Sequence, residues 1–92
     1  MCKLILDLGD DAEIDALDRH LAERGLSVED VIAAAEWVVP RRKGLRLYAY
    51  GRGTGGRPIV IVLSAVGRTW RPRTAWPMSP VEVRWWRRQG GR

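Results

Sequence analysis

Pro58-Ile59-Val60-Ile61-Val62-Leu63-Ser64-Ala65-Val66 is a largely β-branched run, entered through a proline and left at Gly67-Arg68. Apolar on both alternating faces and bounded by turn residues, it reads as a central buried strand. Gly67-Arg68 is then a tight turn into a second extended segment, Thr69 to Ala75. Upstream, Leu45, Leu47 and Ala49 alternate with Arg46, Tyr48 and Tyr50. That period of two marks a strand with one apolar face and one polar and aromatic face. The loop Gly51 to Gly56 joins it to the central strand as a mobile hairpin connection, and the three segments make an antiparallel meander.

Outside the meander the period changes to 3.6. Asp10 with Glu13 forms a capping-box pattern, Ile14, Leu17 and Leu21 follow at i, i+3 and i+7, and Gly25 supplies the stop. Asp11, Asp15 and Asp18 ride the outer face of this helix. Ser27 with Asp30 repeats the box for a run in which Val28, Val31, Ile32 and Ala35 share a face, ended by Pro40 after Trp37-Val38-Val39. Arg41-Arg42-Lys43-Gly44 is a basic link. Leu4 to Leu8, closed by Gly9, reads as an opening strand. Ser79 as N-cap, Pro80 at the first helical position and Glu82 as the reciprocal acid open a last helix running to about Gln89. The expected order is β-α-α-β-β-β-α, an α+β fold with the helices on one face of a small antiparallel sheet.

The 92 residues, 46% hydrophobic and 29% charged, suit one domain over 1–92 and exclude a two-domain enzyme. A single cysteine, Cys2, allows no internal disulfide, and a single histidine, His20, allows no Cys/His zinc cluster. No metal and no cofactor is expected. Asp7 interrupts the first apolar run before a leader could form, and no apolar stretch approaches the about twenty residues of a membrane helix. A reducing, cytoplasmic setting is the default.

Charge divides the chain. Residues 1–39 carry three basic residues against ten acids, net −7; residues 41–92 carry thirteen against Glu82 alone, net +12. Density of that kind repels itself and is kept for a polyanionic partner such as nucleic acid. Fourteen of the sixteen cations are arginine, whose planar fork suits phosphate and stacks on bases. Codon bias alone would give arginine but not the disappearance of acids after Glu36.

Several motifs carry less than they promise. Gly51-Arg52-Gly53-Thr54-Gly55-Gly56 spells G-x-G-x-x-G, yet a strand rather than a helix follows, so no pyrophosphate is received. Asp7, Asp10, Asp11 and Asp15 are explained by capping and the helix dipole. His20 lies at the margin of an apolar stripe, a structural histidine or else a proton carrier. Arg71 and Arg73, two apart on a strand, would present two forks about 7 Å apart on one face, opposite Trp70 and Pro72. Glu82 and Trp86, four apart on the last helix, would place a carboxylate beside a stacking ring, unless Glu82 only caps and Trp86 only packs.

Together these motifs resemble the BrnT family of type II toxin-antitoxin systems, small ribonucleases of the wider RelE-like group. Glu23-Arg24-Gly25-Leu26-Ser27-Val28-Glu29-Asp30 is similar to that family's junction between helices, and Arg46-Leu47-Tyr48-Ala49-Tyr50-Gly51 to its Arg-x-x-x-x-Gly strand. Arg71-Pro72-Arg73-Thr74-Ala75-Trp76-Pro77-Met78 resembles its Arg-x-x-Ser-Ala-Arg-x-Ala strand, and Glu82 with Trp86 its acid and aromatic on the last helix. The likeness runs from about His20 to Arg88. Trp76 stands where the family has a second arginine, Trp86 where it has tyrosine, and Arg24 where it has histidine; Arg73 is the candidate to replace the missing guanidinium.

The resemblance implies a RelE-like fold and an endoribonuclease toxin that inhibits translation and is neutralised by a cognate antitoxin. It implies a metal-independent reaction in which the RNA 2′-OH attacks the adjacent phosphorus to give a cyclic phosphate. Glu82 would be the base, with His20 the alternative proton carrier, and Arg46, Arg71 and Arg73 the clamp on the phosphorane. Arg52, Arg68, Trp76, Trp86 and Arg87 would hold RNA. A homodimer and a toxin-antitoxin heterotetramer are both open. The alternatives are a non-catalytic RNA-binding or ribosome-associated module, and a protein-interaction domain with a basic face.

Overall fold

Each helix begins where a side chain can take up the backbone N–H groups that a first turn leaves free. In a computed structural model describing residues 2–92, all three expected capping boxes are formed: Asp10 with Glu13, Ser27 with Asp30, and Ser79 with Glu82. They open α1 (Asp11–Ala22), α2 (Val28–Ala34) and α3 (Pro80–Arg88). Asp18, exposed on α1, accepts from the Val28 amide at 2.8 Å, so the first helix also caps the second.

Four strands lie between: β1 (Val39–Lys43), β2 (Arg46–Arg52), β3 (Pro58–Val66) and β4 (Thr69–Pro77), antiparallel in the order β1-β2-β3-β4. The first and third hairpins turn on two residues, Gly44-Leu45 and Gly67-Arg68, with each glycine at φ +59°, where a side chain would be strained. The prolines obey the ladder: Pro40 and Pro72 sit in the two outer strands and Pro58 opens β3, so no central strand loses a donor. Beside Pro72 the register slips. Val62 faces Thr74 and Leu63 faces Pro72, which leaves Arg73 as the extra residue of a bulge.

Both faces of the sheet are covered. Leu47, Ala49, Ile59, Ile61, Leu63 and Ala75 pack under α1 and α2 with Leu21, Val31, Ala34 and Val38. Tyr50, Val60 and Val39 pack on the other side with Trp86 of α3, which is 1% exposed. The expectation of helices on one face is therefore corrected. A central strand apolar on both sides needs cover on both, and α3 supplies the second. Ile32, expected to face inward on α2, is 45% exposed instead.

Two further expectations change. Arg41 to Lys43 are not a link but most of β1, paired Arg41 to Tyr48 and Lys43 to Arg46. Leu4 to Leu8 is not a strand: the N-terminal segment makes only two single bridges, Cys2 with Val38 and Leu6 with Trp70. It crosses from the α2–β1 junction to the edge of β4, held by backbone hydrogen bonds to Val38, Ala35 and Trp70 and by Leu4, Leu6 and Leu8 against the core. The observed order is α-α-β-β-β-β-α.

The glycine-rich connection is pinned rather than mobile. Asp30, 4% exposed, accepts from the Thr54 amide at 2.9 Å and its hydroxyl at 2.6 Å through one oxygen, and from the Ser27 amide at 2.9 Å through the other. A Cβ on Gly53 would lie 2.7 Å from the Asp30 carboxylate, so only glycine admits the contact. Burial raises the carboxyl pKa of Asp30, but the donors of Thr54 and Ser27 outweigh it and hold the group below the ordinary range.

Candidate nucleic-acid interface

The charge division of the sequence is in part a division between the two sides of the sheet, with Arg42, Arg57 and Arg71 of the basic half turned to the acidic side. Ten of the eleven acids belong to the N-terminal segment, α1, α2 and their turns, which cover one face. On the other face alternation places Arg46 and Tyr48 beside Tyr50, and pairing places Lys43 beside Arg46 and Arg41 beside Tyr48. Their heads stay on this side: Lys43 Nζ lies 4.8 Å from the centre of the Tyr48 ring, and the Arg41 guanidinium 4.9 Å from that of Trp85. Arg41, Lys43 and Arg46 are all exposed.

Arg73 joins them by way of its bulge. As the unpaired residue it is free of strict alternation, and its Nε donates to Ser64 Oγ at 2.7 Å. Ser64 faces Arg46 across the β2–β3 pair. Trp76, half-buried, sets its ring edge-on to Tyr48 at 6.1 Å and donates its indole N–H to both Glu82 oxygens, at 3.3 and 3.2 Å. Glu82 Oε1 also accepts from the Ser79 amide at 2.9 Å. One carboxylate thus borders an area of four cations and two aromatic rings. Arg68, exposed at the tip of the β3–β4 hairpin, extends the area at the Arg46 end.

Other expected site residues lie elsewhere. Arg71 does not share a clamp with Arg73. Its guanidinium is bound by Asp7 and Glu13, each at 2.9 Å, because the N-terminal segment and the first turn of α1 close over that end of β4. The Gly9 amide and Arg71 together hold the Asp7 carboxyl below its usual range. Trp86 is core and offers no ring to a base. Arg52, at the far end of β2, donates to the Gly56 carbonyl at 2.7 Å and to the Arg92 carbonyl, with its head 4.8 Å from the Trp86 ring centre. Arg87 is exposed on α3.

His20 is on the α1 side. Its Nε2 lies 2.9 Å from Thr74 Oγ1 and 3.2 Å from Arg24 Nη1; arginine only donates, so this nitrogen accepts. It lines a groove of about 300 Å³ with Leu17, Arg71, Arg73 and Glu13. Here Asp7 and Glu13 compensate Arg71, whereas among the described residues Arg41, Lys43, Arg46 and Arg73 form no salt bridge. Sequence reasoning missed Arg41, Lys43 and Tyr48. Reading Val39 to Lys43 as a strand would have put Arg41 and Lys43 in phase with Arg46 and Tyr48.

Among the described residues no group of three or more His, Cys, Asp or Glu side chains could hold a metal ion, and no helix is long and apolar enough to cross a membrane. Comparison with family models, curated proteins and solved structures finds no match.

Proposed function

We propose that the protein binds RNA on the sheet face bordered by α3. The observation that carries this reading is the placement of Arg41, Lys43, Arg46 and Arg73 around Tyr48 and Trp76, with no compensating carboxylate but Glu82 at the rim. Cations that hold a phosphate backbone next to rings that stack bases are what a nucleic-acid groove combines. The cytoplasm would supply such a ligand. The test is salt-dependent binding of RNA by the purified chain. Affinity that falls steeply with salt supports the reading; absence of binding at low salt from a folded protein sinks it.

A second reading, an endoribonuclease toxin neutralised by a cognate antitoxin, is favoured by Glu82 itself. It is the single acid of the basic half, half-buried beside Trp76, and its Oε2 accepts only the long indole bond. In that reaction Glu82 takes the 2′-OH proton, the 2′ oxygen bonds to phosphorus, and the bond from phosphorus to the 5′ oxygen breaks as that oxygen takes a proton from water. The products are a 2′,3′-cyclic phosphate and a 5′-hydroxyl. Arg46 and Arg73 would stabilise the phosphorane, each worth about 2–4 kcal/mol of barrier if it acts as an oxyanion donor does. Arg71, bound to two acids, would contribute through stability instead. End-labelled RNA, naked and on translating ribosomes, incubated in EDTA with wild type and Glu82→Gln, decides it. Cyclic-phosphate fragments lost in the variant support cleavage, and intact RNA throughout leaves binding alone. An acidic antitoxin segment would compete for the same cations.

A further inference from the structure

The strand register arranges the basic face in rows. Lys43 faces Arg46, and Arg46 faces Ser64, on which the Arg73 guanidinium rests, so three cations lie in one line across the sheet. From β1 to β3, two spacings of about 4.8 Å, the line is about 10 Å long. The next row, one pleat repeat toward α3, holds Arg41, Tyr48, Val62 and Thr74; the one after holds Val39, Tyr50, Val60 and Trp76. There the Trp85 ring packs at a tilt against Tyr50, centroids 4.7 Å apart, and α3 closes the face.

Three of the four cations therefore occupy the open end and the rings the end toward the helix, where Arg41 reaches Trp85. A polynucleotide following the cations must run across the β-strands, because running along them would carry it into α3. In that course one side of its backbone meets the cations and its bases turn toward Tyr48 and Trp76. Duplex bases are stacked and paired inside their helix and present no face to these rings. Lys43, parked over Tyr48, would leave the ring for a phosphate as a base takes its place. Resting on the reading that this face takes RNA, we infer that its ligand is an unpaired segment lying across the β-strands, phosphates on Lys43, Arg46 and Arg73 and bases on Tyr48 and Trp76.

Fluorescence anisotropy over a salt series tests this with three probes: 2′-O-methyl oligouridylate of about 12 nucleotides, which has no 2′-OH to attack, its abasic counterpart, and a duplex of equal length. Lys43→Gln, Arg46→Gln and Arg73→Gln should each reduce the slope of log affinity against log salt by about 0.7. Tyr48→Leu should weaken the base-bearing strand about tenfold, leave the slope unchanged and leave abasic binding unchanged. The duplex should bind more weakly than the single strand. Circular dichroism establishes that each variant is folded. No binding of any probe by wild type overturns the RNA reading itself. Wild-type binding whose slope ignores these three residues but falls in Arg84→Gln or Arg88→Gln moves the strand onto α3 and overturns only the placement. A duplex preference, or a Tyr48→Leu loss shared by the abasic probe, overturns the unpaired, base-stacked ligand.

Discussion

Under α1 and α2 the sheet is sealed by aliphatic side chains, and the acids around that side are put to use. Asp30 pins the Gly53–Gly56 turn, Asp18 caps α2, and Asp7 with Glu13 holds Arg71. Under α3 the seal is smaller and aromatic, and beyond it Arg41, Lys43, Arg46 and Arg73 have no acidic partner. The acidic half of the chain thus spends much of its charge on its own backbone, on Lys3 and on Arg71. The basic half leaves most of its charge without an acidic partner, and that difference is what motivates the RNA site proposed on the α3 side.

The largest test of this contrast removes the aromatic seal. Trp86→Ala should cost about 4 kcal/mol in urea denaturation, as deletion of a buried ring does. Loss of less than about 1 kcal/mol would mean that α3 is not seated by that ring. On the opposite side, Asp30→Ala should cost about 2–3 kcal/mol by stranding the donors of Ser27 and Thr54, and amide exchange at Thr54 should rise before the rest of the protein.

Acid should act through the same side. Asp7 and Asp30 bind protons less readily folded than unfolded, so their contribution is complete above the ordinary carboxyl range of about 4 and drains away as pH falls through it toward their folded values. Thermal melts in Asp30→Asn should show a flatter acid limb than wild type; an unchanged limb would remove Asp30 from the account. The smallest effects make the sharpest division. Arg71→Gln should lower the melting temperature and spare the salt dependence of RNA binding. Arg46→Gln should leave stability within about 0.5 kcal/mol and reduce that dependence. A reversal of the two would put the ligand on the α1 side.

Local signals in the sequence are reliable where the cause is local. All three capping boxes, the β3 strand, the Gly67-Arg68 turn and the alternation of Arg46 and Tyr48 with Leu47 and Ala49 stand as read. Val39 to Lys43 was hidden because an edge strand that carries a proline and three cations has the composition of a loop. The separation of Arg71 from Arg73 was hidden for another reason. Period-two counting assumes an unbroken ladder, and the bulge beside Pro72 breaks it. That Arg71 would be taken by Asp7 and Glu13 depends on contacts across 64 and 58 residues of chain, which no local pattern encodes. Trp85 and Trp86 were interchangeable as text, and only the placement of α3 buries the second.

The margins of the sheet carry one more consequence. On β1, Pro40 offers no donor, and the three cations that follow would repel the same strand of another copy. On β4 a proline, a bulge and the crossing N-terminal segment interrupt the outer line of donors and acceptors. Neither margin is a template for edge-to-edge growth, so crowding the protein does not extend its sheet into a fibre. Lys43, which the proposed RNA site uses, is also part of that protection. Neutralising the β1 cations would therefore weaken resistance to aggregation along with the hold on RNA.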